Sequence, residues 1–172
     1  MAERILVIGS PGTGKSTFAK QLSQKMNVPV FHLDKLFWKN DHETINQEEF
    51  IKQIEKVIAE NESWIIEWNY RDTLPLRLEQ AELVIWLKAP RWKCILNVVK
   101  RYFRLLKNED TGGNPKSLRF EFVKYIWDFP SNHFPSMTQA KTNSLNRVKW
   151  IELNGFKEIN RFMQESEVKI KH

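Results

Sequence analysis

A chain of 172 residues with 41% hydrophobic and 28% charged residues has the size and composition of one globular domain with a single buried core. No apolar run reaches the roughly 20 residues that a membrane-spanning helix requires, and the opening "MAERILVIGS" lacks the pattern of a signal peptide, so we expect a cytoplasmic protein with no membrane partner. The single cysteine excludes an internal disulfide, and the net charge of +6 suits an anionic partner, either a nucleotide or a nucleic acid.

Predicted strands and helices alternate along the chain. Short apolar runs predict strands, and apolar residues three and four positions apart predict helices. In chain order we expect a strand at 4–9, a helix at 14–26, a strand at 28–34, a helix at 46–60, strands at 63–69 and 81–90, helices at 91–104 and 116–127 (the latter ending before Pro130), a strand at 147–153 and a helix at 155–165. Continuous apolar strands separated by helices indicate a parallel sheet covered on both faces, with ligands bound at the carboxyl ends of the strands.

The first predicted strand runs into a glycine-rich loop, "GSPGTGKST", which fits the phosphate-binding pattern G-x-x-x-x-G-K-[ST] at every fixed position. Glycines let backbone N–H groups converge on an anion, and the helix that follows adds its own unpaired N–H groups. Lys15 is expected to reach the outer phosphates, and Ser16 to ligate the accompanying Mg²⁺. The sequence therefore predicts an ATP and Mg²⁺ site formed by Gly9, Ser10, Pro11, Gly12, Thr13, Gly14, Lys15, Ser16 and Thr17.

Two acidic residues lie where predicted strands end. Asp34 is a candidate to orient or deprotonate an attacking hydroxyl or to hold the Mg²⁺ shell, and the alternative role is a helix cap or an exposed turn. Glu67 is a candidate to hold Mg²⁺ through water, and the alternative is a carboxylate that closes the strand by accepting from neighbouring N–H groups. His32, two residues before Asp34, is expected to be a packed strand residue rather than a catalyst.

Candidate acceptor-binding and phosphate-binding side chains follow these acids. Arg71 could pair with a phosphate or carboxylate of the acceptor, or lie on the surface, and Trp38 is the best aromatic candidate for lining an acceptor pocket. Arg101 and Arg104 share one face of a predicted helix just before "NEDTGGNPKS", a stretch that resembles a mobile lid at approximately 104–117. Arg101 is expected to neutralise charge during phosphoryl transfer, the alternative being a solvated basic helix face.

Five segments in order, "GSPGTGKST", "HLDKLFW", "WIIEWNYR", "LVIWLKAPRWKCILNVVKR" and "FVKYIWDFP", resemble the adenylate-kinase-like P-loop proteins of the DNA topology modulation family. The resemblance covers nearly the whole chain, and it extends more distantly to nucleoside-monophosphate kinases and shikimate kinase. It implies a three-layer α/β fold of P-loop NTPases, with a five-stranded parallel sheet, helices on both faces and a short lid. It also implies that Asp34 lies next to the acceptor hydroxyl, that Arg71 contacts the acceptor and that Arg101 reaches the phosphates.

The chain departs from the family pattern in two places. Relatives usually have Asp-Gly-Asn-Tyr where this chain has Glu67, Trp68, Asn69 and Tyr70, and the bulk of Trp68 could narrow the acceptor site. The long arginine-rich lid of adenylate kinases is short here. Both departures bear on adenylate kinase activity and leave ATP binding as predicted.

One domain spanning residues 1–172 is therefore expected to be an ATP-dependent kinase of a nucleoside, nucleotide or similar small acceptor. The alternative from a different class is a nucleotide-dependent regulator that binds DNA. The sequence disfavours the regulator, because the positive charge is diffuse and no DNA-reading motif is present. A third hypothesis, motivated by Trp68, is an ATP-binding protein without a functional acceptor site.

Overall fold

The computed structural model describes residues 3–37, 43–67, 71–106 and 119–169, apart from the side chains at 71, 105, 106 and 166–169. Strands and helices alternate through these ranges. Their bounds are β1 Arg4–Gly9, α1 Lys15–Met26, β2 Val30–His32, α2 Leu33–Phe37, α3 Gln47–Glu60, β3 Trp64–Glu67, a 3₁₀ turn Arg71–Thr73, α4 Leu74–Gln80, β4 Leu83–Lys88, α5 Arg91–Leu106, α6 Phe120–Ser144, β5 Lys149–Asn154 and α7 Phe156–Lys169.

The five strands form one parallel sheet in the order β2-β3-β1-β4-β5, which confirms the predicted sheet. β1 lies in the centre, hydrogen-bonded to β3 on one side and β4 on the other. Glu67 at the end of β3 is in register with Val7 of β1 and with His32 at the end of β2. The register therefore places Glu67 and His32 beside each other at the carboxyl edge of the sheet.

Helices cover both faces of the sheet, as the continuous apolar strands predict. Successive side chains of β1 point to opposite faces, so Ile5 and Val7 pack with α1 and α7, whereas Leu6 and Ile8 pack with α3, α4 and α6. The core of the α1 and α7 layer contains Phe18, Ala19, Leu22, Ile159, Phe162 and Met163, and the core of the opposite layer contains Phe50, Ile54, Leu74, Leu78, Phe129 and Met137.

The prediction that a helix ends before Pro130 is wrong. α6 runs from Phe120 to Ser144 and contains both Pro130 and Pro135. A proline inside a helix removes one backbone donor and crowds the preceding turn, a cost of about 3 kcal/mol in an isolated helix. Phe129, beside the first proline, is buried in the sheet core, and this apolar contact favours continuing the helix past the prolines.

The predicted second strand is too long, and two helices went unpredicted. β2 ends at His32, so Asp34 lies on the short helix α2 rather than at the end of the strand. α2 and α4 are only 5 and 7 residues long, too short for the spacing of apolar residues to distinguish a helix from a turn.

α5 lies against α6 through a small apolar cluster formed by Cys94, Val98 and Ile126. Beyond Leu106 the predicted lid lies outside the described residues. None of the helices in the described ranges combines the length and the low polarity needed to cross a lipid bilayer.

Candidate functional site

The loop between β1 and α1 is closed on one side and open on the other. Gly12 and Gly14 have φ angles of 81° and 84°, in the left-handed region that favours glycine, and Gly14 is the N-cap of α1. A Cβ added to Gly12 would lie 2.3 Å from the carbonyl oxygen of Cys94 on α5, whereas a Cβ on Gly14 would meet no atom within 4 Å. The loop is therefore backed by α5 and faces open space at the N-terminus of α1, where an anion is favoured.

One backbone carbonyl inside the loop accepts three hydrogen bonds. The Ser10 carbonyl accepts from the Thr13 N–H at 3.2 Å, from the Thr13 hydroxyl at 2.8 Å and from the Lys15 ammonium at 3.0 Å. The Ser10 side chain is 2% exposed, and its hydroxyl has no hydrogen-bond partner in the described part of the chain. The loop thus folds back on itself and holds Lys15 over its own backbone.

Lys15 is a buried cation, 8% exposed. Burial lowers the pKa of its ammonium below the ordinary value, because the charged form loses hydration. The negative charges of Glu67 and Asp34 oppose this shift, and the positive charge of Arg101 adds to it. Since charges act on a pKa in this way only at short range, Lys15, Glu67, Asp34 and Arg101 belong to one site.

A second group of contacts connects the first turn of α1 to the two strand ends. Ser16 Oγ donates to Glu67 Oε2 at 3.1 Å, and His32 Nδ1 lies 3.0 Å from the same oxygen. The strand pattern explains the meeting, because Val30 and Ile65 pack in the α1 layer and residues two positions further on face the same side. Since an ionised carboxylate only accepts, Ser16 directs its hydrogen to Glu67 and leaves its oxygen lone pairs available.

Asp34 and Arg101 reach the site from α2 and α5. Burial raises the pKa of the Asp34 carboxyl above its ordinary value, and the neighbouring charge of Glu67 raises it further. Burial lowers the pKa of the Arg101 guanidinium, and the negative charge of Asp34 opposes that change. A carboxylate and a guanidinium from separate elements therefore lie near enough to the phosphate-binding loop for their charges to act on Lys15.

The predicted residues within the described ranges lie together at the carboxyl edge of the sheet. Gly9 ends β1, Pro11 is half-buried in the loop, and Ser16 and Thr17 lie exposed in the first turn of α1. Arg104 is an exposed residue of α5. Trp38, Trp68, Asn69, Tyr70 and the side chain of Arg71 lie outside what the structure describes, and their predicted roles stay predictions.

Two residues of the site were not predicted as functional. His32 was expected to pack in its strand, and the structure adds its contact with Glu67. Asn97, on α5, donates from Nδ2 to the Gly12 carbonyl oxygen at 2.9 Å. The sequence contains one signal for Asn97, a polar residue within the apolar run "CILNVV" and one helical turn before Arg101.

Comparisons with known proteins agree with this architecture. The crystal structure of shikimate kinase from Bacteroides thetaiotaomicron aligns over 99% of this chain and 99% of its own, with a TM-score of 0.53 and 15% sequence identity. At that identity the likeness shows the fold alone, the three-layer α/β fold of P-loop NTPases that we expected. No curated protein matches the sequence, and the resemblance to the DNA topology modulation family stays a prediction. Residues 5–102, more than half of the chain, match the AAA domain family, and the protein belongs to that family.

Proposed function

We propose that the protein transfers the terminal phosphoryl group of ATP to a small acceptor, either a nucleoside, a nucleotide or a hydroxylated metabolite. The observation that carries the proposal is the proximity of Lys15, Asp34 and Arg101, which come from α1, α2 and α5: the charges of Asp34 and Arg101 act on the pKa of Lys15, and the charge of Asp34 acts on the pKa of Arg101. Phosphoryl transfer uses, in addition to the phosphate-binding loop and its Mg²⁺ ligands, a carboxylate that orients the nucleophile and a further cation that stabilises the transferring group.

The loop fits the triphosphate of ATP. The open space at Gly14 admits an oxygen-rich group against the N-terminus of α1, and the Ser10 hydroxyl is a buried polar group without a protein partner in the described ranges. Lys15 is a cation that burial penalises, and a bound phosphate would offset that penalty through its opposite charge. ATP would therefore be held by the backbone from Gly9 to Gly14 and by the side chains of Lys15, Ser16 and Thr17.

The residues beside the loop fit a hydrated Mg²⁺ ion, a hard cation that prefers oxygen ligands. Ser16 would supply a direct ligand through its lone pairs, and Glu67 would accept from the ion's water molecules. Mg²⁺ bound there would neutralise charge on the phosphates during transfer. His32 would keep the Glu67 carboxylate in place, since its Nδ1 already contacts Oε2.

Asp34 would act on the acceptor. In the proposed step an acceptor hydroxyl gives its proton to the Asp34 carboxylate, its oxygen forms a bond to the γ-phosphorus, and the bond from that phosphorus to the β-phosphate oxygen breaks to release ADP. The raised pKa of Asp34 makes it a stronger base than an exposed aspartate. Lys15 and Arg101 would stabilise the negative charge on the phosphoryl oxygens as they move.

Trp38 and Arg71 complete the proposal as acceptor-binding residues, on the strength of their positions in the sequence. A cytoplasmic setting is also part of the proposal, because the single cysteine is a buried free thiol.

The test is an acceptor panel of nucleoside monophosphates, nucleosides and small hydroxylated metabolites, incubated with the protein, ATP and Mg²⁺. We expect formation of ADP and a phosphorylated product that depends on one acceptor class. Lys15→Met should lower that rate by at least about 100-fold, because it removes a cation from the developing charge. The matched control is Lys20→Met, an exposed lysine on the same helix, which should leave the rate unchanged.

Two results would overturn the proposal. ADP formation at the same rate with and without every acceptor would indicate an ATPase. A Lys15→Met protein as active as the wild type would show that the phosphates bind elsewhere.

A further inference from the structure

We propose that Asn97 is a positioning residue that joins the phosphate-binding loop to α5 and so places Arg101 against the phosphates. The inference rests on the proposed function, since it requires that ATP binds the loop. The observation that supports it differs from the one that supports the proposed function: it is a side-chain hydrogen bond between residues 85 positions apart in the chain.

Three successive turns of α5 face the site. Cys94, Asn97 and Arg101 are spaced by three and four residues and therefore lie on one side of the helix. The Cys94 carbonyl oxygen lies 2.3 Å from the position that a Cβ of residue 12 would take, and the Asn97 amide donates to the Gly12 carbonyl. The charge of Arg101, one turn further on, acts on Lys15. The helix thus touches the backbone of the loop and the charges of the site along one face.

The Asn97 bond acts on a glycine of the loop, a residue type with little intrinsic restriction on its backbone. Gly12, at a φ of 81°, has no side chain to restrict rotation of the peptide group that joins it to Thr13. A donor on its carbonyl fixes the orientation of that peptide group relative to α5. Because α5 also carries Arg101, the same bond fixes how far the guanidinium lies from the loop.

The structure thus assigns Asn97 a role in the affinity for ATP phosphates, and Asn97 acts by holding Arg101 in position. In the wild type, ATP gains from Arg101 only when α5 is held to the loop. Loss of the Asn97 donor should therefore weaken ATP binding strongly when Arg101 is present and weakly when it is absent. A bond that merely stabilises the fold would weaken binding to the same extent in both backgrounds.

The experiment is a double-mutant cycle of Asn97→Ala and Arg101→Ala, with the dissociation constant of Mg²⁺–ATP measured by calorimetry. Asn97→Ala removes the donor and adds no charge that would act on Arg101 or on the phosphates. We expect a dissociation constant about tenfold higher for Asn97→Ala in the wild-type background and about twofold higher in the Arg101→Ala background. Asn97→Gln, which retains an amide donor, should recover part of the affinity.

The matched control is Asn143→Ala, the same change on an exposed residue of α6, which should not alter the dissociation constant in either background. If Asn97→Ala does not fold, Asn97→Leu goes through the same cycle, since it keeps the size of the side chain and also removes the donor without adding a charge.

Equal effects of the Asn97 change in the two backgrounds would overturn the inference and leave the proposed function standing. Coupling between Asn97 and Arg101 in a protein that phosphorylates no acceptor would overturn the proposed function alone. A wild-type protein that binds no Mg²⁺–ATP would overturn both.

Discussion

Lys15 and Asp34 are charged side chains in an environment that disfavours charge. Burial lowers the pKa of the lysine and raises the pKa of the aspartate, so the charged form of each side chain is less favourable in the folded protein than in the unfolded chain. An anion on the loop would relieve the lysine, and a proton from an acceptor would relieve the aspartate. The groups that the proposed reaction uses are thus the ones whose charged forms the fold of the free protein disfavours.

Asp34→Asn should separate stability from activity. The folded protein binds the Asp34 proton more tightly than the unfolded chain, so the free energy of unfolding falls as the pH rises from the ordinary aspartate pKa through the raised one. At pH 7 the asparagine variant should be more stable than the wild type and have a higher Tm, and its kinase activity should fall by about 10²- to 10⁴-fold. Thermal unfolding at several pH values and the acceptor assay measure the two effects.

The gain in stability should vanish as the pH falls below the ordinary aspartate pKa, because the wild-type carboxyl is then neutral in both states. Asp72→Asn, at an exposed position in the 3₁₀ turn, is the control and should change neither quantity. An Asp34→Asn protein less stable than the wild type at pH 7 would contradict the assignment of Asp34 as a penalised carboxylate.

Sequence alone reveals the residues of the loop because one contiguous motif contains them. Glu67 could be predicted because it follows a recognisable apolar strand. The contacts of His32 and Asn97 could not, since they depend on the register of β2 against β3 and on the approach of α5 to the loop. The residue pattern within one segment carries no information about the distance from His32 to Glu67 or from Asn97 to Gly12.

At the scale of elements, α6 differs most from its prediction. Two prolines indicate a helix end when the sequence is considered locally, whereas packing of Phe129 and Phe134 favours continuation. Phe129 stacks on His133 with ring centroids 4.3 Å apart, and Phe134 meets Trp86 of β4 edge-on at 5.1 Å. The strands could be predicted because their apolar runs are buried on both faces of the sheet. No residue within these runs indicates an earlier end of the strand.

Phe129→Ala should test whether α6 beyond its first proline is part of the core. Phe129 is 1% exposed, and its truncation should lower the free energy of unfolding by about 3–5 kcal/mol. The matched control is Phe120→Ala on the same helix, where the ring is 78% exposed and the loss should stay within about 0.5 kcal/mol. Urea unfolding measures both, and equal losses would show that α6 does not pack as described.

At the scale of the whole molecule, the elements that follow the AAA match are structurally inseparable from the matched residues 5–102. β5 is hydrogen-bonded to β4 along its length, α7 packs in the α1 layer, and α6 packs in the opposite layer. Removal of these elements would expose β4 as a sheet edge and uncover apolar surface on both faces.

We therefore expect residues 1–172 to unfold as the single domain that the length suggests. Scanning calorimetry should give one endotherm whose calorimetric and van't Hoff enthalpies agree. Two separable endotherms, one of them retained in a chain that ends at residue 106, would contradict this expectation.

The packing of Cys94 under Gly12 gives the protein a built-in chemical reporter. Burial raises the pKa of this thiol to about 11, so a thiol reagent can attack it only when α5 moves away from the groups that cover the thiol, which include Ile126 of α6. As the sequence contains one cysteine, every labelled molecule records one such opening. The labelling rate would then report, in the unmodified protein and without knowledge of the acceptor, how firmly each candidate nucleotide holds α5 in its packed position.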